Sequence, residues 1–196
     1  HIERFNSAVR TMKRYLEAPL FIESHRLGPF AARVQDIGVV LDLMIHDLDM
    51  ILSLVGSHPT DVQAVGVPVL TAREDIANAR LSFEGGCIAN VTVSRVSPEP
   101  MRKIRIFQRN AYMSLDYMHK RLRIYRRVKD PQSGELKIEA AQETVEERDA
   151  LEDELRSFIE CVKNGGEPIV SGEQGREALA LAVTITELVH KRLSPA

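Results

Sequence analysis

Three ionisable side chains in one apolar segment, Asp42, His46 and Asp49, are spaced so that they could act on a common ligand. Positions i, i+4 and i+7 share one face of an α-helix, and Ser53 continues that face one turn further. Residues 37–55 contain no Lys, Arg or Glu. A solvent-facing stripe normally carries long charged residues that favour helices, whereas Asp and His favour them less. Short side chains hold a functional group close to the backbone, so the pattern indicates positioned chemistry.

The pair Asp42 and His46 suits the removal of a proton from an alcohol. Oxidation of a secondary alcohol requires a proton acceptor beside the hydroxyl while hydride leaves the carbon. A histidine with a pKa near ~6.5 accepts protons at neutral pH. A carboxylate one helical turn away can orient the imidazole, stabilise its charged form and bind neighbouring hydroxyls. We therefore interpret His46 and Asp42 as candidate catalytic residues.

Two other interpretations of the stripe stay open on spacing alone. Asp42, His46 and Asp49 could be the solvated edge of a buried helix, or two of them could bind a metal. A His-Asp dipeptide also occurs in metal-dependent phosphohydrolases, but these need further His and Asp ligands on an all-helical fold. No third His or Cys cluster lies near in sequence, so we expect no metal.

The segment that carries the stripe reads as a largely buried helix from Ile37 to Val55, ending at Gly56. Asn6 can cap an earlier helix that stops before Pro19. A short extended piece, residues 20–25, lies between the two helices.

From Asp61 to about Gln142 the pattern changes from helical to alternating, which predicts five to seven strands in one sheet. Short turns join them, Glu84-Gly85-Gly86 being a strong hairpin signal, and strands joined in this way are antiparallel neighbours. Ten of the 26 basic residues lie between Arg102 and Lys129, and the alternation there places several of them on one sheet face. A solvated face is the ordinary explanation of this pattern, and subunit contact is the next.

Two helices close the chain, the first opened by a capping box at Thr144-x-x-Glu147 and the second by Ser171-x-x-Gln174. An apolar stripe predicts how the first helix packs; it consists of Leu151, Leu155, Phe158, Ile159 and Val162. The order helix, strands, helices predicts an α+β fold, a large, mostly antiparallel open sheet with helices on one face. Residues 1–196 are expected to form a single domain.

Bulk composition excludes several classes of function. With 26 basic and 28 acidic residues the formal charge is −2, which disfavours a dedicated nucleic-acid binder. No apolar run reaches the ~20 residues that span a bilayer, so no membrane partner is expected. The cysteines Cys87 and Cys161 form no metal or redox motif, and we expect small core residues in a cytoplasmic protein.

The helix motif resembles that of the Gfo/Idh/MocA oxidoreductases, the glucose–fructose oxidoreductase and inositol dehydrogenase family. Their second domain carries a helix reading roughly G-G-x-x-x-D-x-G-x-H-x-x-D, which Gly38, Asp42, His46 and Asp49 match. Ile37 and Met44 replace two of its glycines, and this form is most similar to members that act on nucleotide sugars such as UDP-N-acetylglucosamine. The resemblance extends over almost the whole chain, to the opening residues 1–6 and the closing segments 158–165 and 176–179.

The resemblance implies hydride transfer between NAD or NADP and a hydroxyl of a sugar or nucleotide sugar. His46 would act as acid and base, alone or with a lysine of the family's first domain, and Asp42 would contact substrate hydroxyls and position the base. Asp49 also matches the motif, which makes it a candidate for substrate binding, but we expect its main role to be support of the helix. Three arginines could bind a substrate anion, although a surface role is the alternative for each: Arg4, Arg26 and Arg33.

The family places its cofactor fingerprint in a preceding Rossmann domain, and this chain contains no G-x-G-x-x-G after a strand. We therefore expect a substrate-binding, catalytic and oligomerisation domain whose cofactor-binding N-terminal Rossmann domain is absent, so that the cofactor-binding residues are unknown. The chain alone is expected to fold, to form a homo-oligomer through the sheet face, as resembling proteins do, and to be inactive as a dehydrogenase. The alternative is a non-catalytic binding or dimerisation module of the same fold.

Overall fold

A computed structural model of the protein describes residues 1–31 and 36–193, so the candidate Arg33 lies outside the described residues. The described residues form eight strands in a single sheet. The strands are β1 (Phe21–Leu27), β2 (Pro59–Val67), β3 (Ile76–Phe83), β4 (Ile88–Ser94), β5 (Met101–Gln108), β6 (Ala111–Asp116), β7 (Arg121–Lys129) and β8 (Leu136–Glu143).

The strand order is β2-β3-β4-β1-β5-β6-β7-β8, which places the short segment before the long helix at the centre of the sheet. β1 pairs with β4 in parallel and with β5 in antiparallel register, and every other described pairing is antiparallel. The predicted α+β class and mostly antiparallel sheet are therefore confirmed. The extended piece at residues 20–25 belongs to this sheet as β1, so the sheet is larger than the five to seven strands expected.

Helices flank the sheet: α1 (Ser7–Lys13), α2 (Ile45–Val55), α3 (Ala150–Asn164) and α4 (Gly172–Leu193), with a 3₁₀ turn at Ile2–Phe5 and a π-helical turn at Val40–Met44. The backbone N–H of Ala8 donates to the side chain of Asn6 at 3.0 Å, which confirms the predicted cap of α1. Gly56 ends α2 with φ +74°, a left-handed conformation that favours glycine.

Alternating burial along the strands defines one inner and one outer face of the sheet. Ile104 and Ile106 of β5, and Met113 and Leu115 of β6, are fully buried on the inner face, whereas the residues between them are partly exposed. They belong to the same apolar core as residues of α1, α2 and α4. Burying a side chain of this size contributes about 1.5–3 kcal/mol each, so this face anchors the elements that carry the candidate site.

The first closing helix differs from its prediction in two ways. Asp149 caps α3, accepting hydrogen bonds from the backbone N–H groups of Leu151 at 2.8 Å and Glu152 at 3.3 Å, so the capping box at Thr144 was wrong. The apolar stripe of α3 is 50–69% exposed, and its packing was also predicted wrongly. The cap of α4 is confirmed, because Ser171 and Gln174 exchange hydrogen bonds of 3.2 Å. None of the described helices is both long and apolar enough to cross a membrane.

Candidate functional site

Asp42 lies in the π-helical turn that leads into α2. The backbone N–H of Ile45 donates to the carbonyl of Val40, five residues back, before α-helical bonding takes over. Single π turns occur often at functional sites, since the extra residue shifts side chains relative to an α-helix. The helix therefore begins later than the predicted Ile37, and its first turn presents Asp42 on a partly exposed surface.

A cavity of about 500 Å³ opens beside this turn. It lies where β1 and β4 end and β5 begins, so three adjacent strands contribute to one wall. Four of the described residues that line it are charged: Arg26, Asp42, Arg95 and Arg102. Asp42 and Arg26, two of the residues selected from sequence, are thus brought to one concave surface.

A buried ion pair fixes Arg26 at the edge of this cavity. Its Nε donates to Oδ2 of Asp47 at 2.7 Å, and Ser24 Oγ donates to Oδ1 of the same carboxylate at 2.8 Å. Burial by itself would lower the pKa of Arg26, but the charge of Asp47 more than reverses this, so the pKa is raised. Arg26 therefore stays charged, with its position set by Asp47.

The far end of the predicted stripe is covered by the amino-terminal segment. Arg4 makes a bidentate contact with Asp49, with Nε–Oδ2 at 2.8 Å and Nη2–Oδ1 at 2.7 Å, and Asp49 is 1% exposed. Lys13 Nζ donates to Ser53 Oγ at 2.9 Å. The sequence assigned Arg4 and Asp49 to substrate binding, but in the structure they bind each other, and neither is among the described residues that line the cavity. Residues that share one helix face therefore have different surroundings.

His46 lies between these two ends, half-buried, and it is not among the described lining residues of the cavity. Burial lowers its pKa below the ordinary value, and the positive charge of Arg26 lowers it further, while the charges of Asp47 and Glu3 oppose the shift. The imidazole is consequently neutral at neutral pH, which is the form that can accept a proton.

Two adjacent carboxylates, Glu74 and Asp75, hold the start of the π-helical turn, and sequence reasoning missed them. Val39 N–H donates to the Glu74 carbonyl at 3.1 Å, and the Glu74 carboxylate lies against Gly38, where a Cβ would come within 1.8 Å of Oε1. Asp75 binds Arg95 at 2.7 Å. Burial alone would raise the pKa of Asp75, but hydrogen bonds from three backbone N–H groups and from Arg95 lower it.

One signal in the sequence could have revealed the buried ion pairs. It is a charged residue that lies on the apolar face of a helix. Asp47 is such a residue, since it lies off the polar stripe of an apolar helix. A buried carboxylate needs a partner, so Asp47 implied a cation elsewhere in the chain. Glu74 and Asp75 lie in an irregular segment, where no periodicity marks them.

One buried hydroxyl lies beside the same cluster. Tyr117 Oη is buried and has no hydrogen-bond partner among the described residues. Burial raises its pKa well above the ordinary value, and Asp47 and Glu3 act in the same direction. Tyr117 therefore remains a protonated donor next to Arg26 and Asp47. The described residues contain no group of three or more His, Cys, Asp or Glu side chains that could hold a metal ion.

The chain is similar in sequence and in fold to known dehydrogenases. Residues 28–192 match the family profile described as "Oxidoreductase family, C-terminal alpha/beta domain". A UDP-N-acetylglucosamine 3-dehydrogenase from Acidithiobacillus ferrooxidans is 37% identical over 186 residues, 94% of this chain and 59% of that protein. A solved structure of a UDP-N-acetylglucosamine 3-dehydrogenase from that organism superposes with a TM-score of 0.91 at 36% identity, covering 99% of this chain and 61% of the other.

A myo-inositol 2-dehydrogenase from Thermotoga maritima is 29% identical over 166 residues, 80% of this chain and 48% of that protein. The chain thus spans between about half and three-fifths of the length of the curated relatives it matches.

Proposed function

The chain belongs to the Gfo/Idh/MocA oxidoreductase family, as its C-terminal alpha/beta domain, and on that premise we propose that it is the substrate-binding and catalytic part of an NAD(P)-dependent sugar dehydrogenase. The observation that carries the proposal is the position of Asp42, which lines a cavity of about 500 Å³ one turn before a half-buried histidine. A cavity of this size suits a small ligand. The family membership supplies the reaction class, the cavity supplies Asp42, and the helix that follows supplies His46.

In this proposal His46 accepts the proton of the reacting hydroxyl, and Asp42 accepts hydrogen bonds from sugar hydroxyls and orients the reacting carbon. A bound nicotinamide would supply the hydride acceptor for that carbon. A neutral imidazole beside a carboxylate fits the proton-transfer side of such a reaction. Arg4 and Asp49 hold the amino-terminal segment against α2, and Asp47 holds Arg26, so these pairs keep the site in place.

We infer a nucleotide sugar resembling UDP-N-acetylglucosamine as the preferred substrate class. This inference is supported by the 37% identical relative, whose name states that activity. We assign the binding site of the dinucleotide to a part of the enzyme outside this chain, because the matched relatives are considerably longer. By itself the 196-residue chain should then be inactive.

Steady-state oxidation of UDP-N-acetylglucosamine by the full-length gene product, with NAD and with NADP, tests the proposal. We expect His46→Asn to lower kcat about 10²–10⁴-fold, the usual contribution of general acid–base catalysis, and Asp42→Asn to raise KM as well as lower kcat. His58→Asn is the matched control, since His58 immediately precedes β2 and its side chain is 66% exposed. Unchanged turnover in His46→Asn would refute the catalytic role of His46. No turnover by the wild-type enzyme would instead favour the alternative, a non-catalytic binding module of the same fold.

We also propose that two copies pair through the outer sheet face. Rings from four strands form a row there: Phe21–Phe107 at 5.9 Å, Phe107–Tyr112 at 4.7 Å and Tyr112–Tyr125 at 5.2 Å between centroids. Next to them lie carboxylates and guanidinium groups, such as Glu23 and Arg105, so the face can complement itself across a two-fold axis.

Sedimentation of the wild-type chain, of Tyr112→Lys and of the control Glu84→Lys tests this pairing, the control lying at the exposed turn after β3. We expect the wild-type chain and Glu84→Lys to sediment as dimers and Tyr112→Lys to sediment as a monomer. A monomeric wild type would contradict the pairing.

A further inference from the structure

The cavity beside the π-helical turn is lined by two charged side chains that no other described residue neutralises. Asp42 and Arg102 both line it, and neither side chain makes a hydrogen bond or ion pair with another residue in the described ranges. By contrast, Arg26 is bound by Asp47 at 2.7 Å and Arg95 by Asp75 at 2.7 Å. A carboxylate and a guanidinium that share a cavity without pairing can each contact a different group of one ligand.

The position of Arg102 follows from the register of the sheet. Arg102 precedes Ile104 and Ile106 on β5 by steps of two, so its side chain is on the inner face with theirs. Its cross-strand partner on β1 is Arg26. Two like charges opposite each other are unfavourable unless counter-charges are present. Asp47 and Glu3 supply counter-charges for Arg26. Arg102 is exposed to solvent beside the cavity, where an anionic ligand group would be its counter-charge.

Resting on the proposed function, we propose that Arg102 is a specificity-determining residue that binds the phosphate oxygens of the sugar substrate while Asp42 binds its hydroxyls. A guanidinium presents several donors in a planar fork that matches phosphate geometry, and contacts of this kind are stronger than neutral hydrogen bonds. The cavity therefore selects phosphorylated sugars, nucleotide sugars among them, over uncharged ones.

The experiment compares the full-length gene product with Arg102→Met, which removes the charge and keeps the stem, and with Arg102→Lys. Arg109→Met is the matched control, because Arg109 follows the opposite end of β5 and is exposed. Substrates are UDP-N-acetylglucosamine, N-acetylglucosamine 1-phosphate, uncharged N-acetylglucosamine and glucuronate, the last testing a carboxylate as the anion.

We expect Arg102→Met to raise KM for both phosphorylated sugars about 10–100-fold and to change kcat less than about threefold. The KM values for the nicotinamide and for the uncharged sugar should not change. Arg102→Lys should recover part of the loss, and Arg109→Met should behave as wild type. Unchanged KM for phosphorylated sugars in Arg102→Met, or a loss seen only with glucuronate, would overturn the inference and leave the proposed function standing.

Direct binding separates failure of the inference from failure of the proposed function. UDP alone should raise the melting temperature of wild type and of Arg109→Met, but not of Arg102→Met. If wild type binds UDP through Arg102 yet oxidises no sugar, the anion site stands and the dehydrogenase assignment fails. If UDP binds wild type and Arg102→Met equally, or binds neither, the anion site is refuted whatever the enzyme oxidises.

Discussion

The Arg26 guanidinium and the Asp47 carboxylate meet at 2.7 Å, 21 residues apart in sequence, with side chains only 7% and 2% exposed. Arg26 comes from the central strand β1 and Asp47 from the first turns of α2. The contact therefore fixes the orientation of the helix that carries Asp42 and His46 relative to the sheet. It also leaves a permanently charged guanidinium at the edge of the cavity.

Replacement of Asp47 tests how strongly that pair holds the fold. Asp47→Asn keeps the shape but leaves the buried charge of Arg26 with the more distant Glu3 carboxylate, at 3.4 Å, as its counter-charge. Breaking a buried pair costs about 3–5 kcal/mol. We expect a loss of this size in the free energy of unfolding, measured by urea denaturation. Asp61→Asn, at an exposed position of β2, should change the unfolding free energy by less than about 0.5 kcal/mol. A loss for Asp47→Asn as small as that of the control would show that Arg26 is neutralised by other means.

A methyl group at Gly38 should disturb the π-helical turn. An alanine Cβ there would lie 1.8 Å from Glu74 Oε1, and Glu74 is 1% exposed, so its carboxylate has little room to retreat. Gly38→Ala is expected to cost about 1–3 kcal/mol, the usual range for overpacking. It should also lower turnover through displacement of Asp42. Gly85→Ala is the control, because nothing lies within 4 Å of a Cβ at that position. Equal stability of the two variants would mean that Glu74 moves freely.

The pH dependence of sugar oxidation should report the lowered pKa of His46. Because burial and Arg26 disfavour its protonated form, the base is already neutral below the ordinary value of about 6.5. We expect kcat/KM to rise with pH along a limb centred below 6.5 and to lose that limb in His46→Asn. A limb centred at or above 6.5 would be inconsistent with the lowered pKa.

The same shift has a consequence for stability. The unfolded chain binds the His46 proton more tightly than the folded one, so stability is complete above about 6.5 and decreases as the pH falls toward the folded-state pKa. Urea denaturation of wild type and His46→Asn across this interval should show the difference, and parallel curves would contradict it.

The two cysteines should differ in reactivity. Cys87 is 3% exposed and burial raises its pKa to about 11, which leaves about 0.1% thiolate at pH 8. Cys161 is partly exposed and its thiol donates to the carbonyl of Gly166 at 3.2 Å, so the expectation of a core position holds for Cys87 alone. Iodoacetamide followed by peptide mass analysis should show modification of Cys161 in the native protein and of Cys87 only after unfolding. Rapid native modification of Cys87 would refute its burial.

Local patterns were sufficient to predict most of the elements. Alternating residues from Asp61 to about Gln142 predicted the region that contains β2 to β8, and the apolar segment around Leu48 and Ile51 identified α2. Periodicity carries this information because each residue's side of a strand or helix follows from backbone geometry alone. The stripe of α3 shows the limit, since the same pattern that predicted packing is exposed in the described structure.

The sequence by itself determined the α+β class, the helix that carries Asp42, His46 and Asp49, and the family to which the chain belongs. The tertiary structure alone decided which of those side chains meets the cavity. By spacing alone, Asp42 and Asp49 are equally good candidates for the site. Arg4, 45 residues before Asp49, binds Asp49. Asp42 instead lines the cavity together with Arg102 of β5. Helical spacing determines the direction in which a side chain points. Its contacts depend on long-range packing between segments that are remote in sequence, and this packing cannot be predicted from the spacing within one helix.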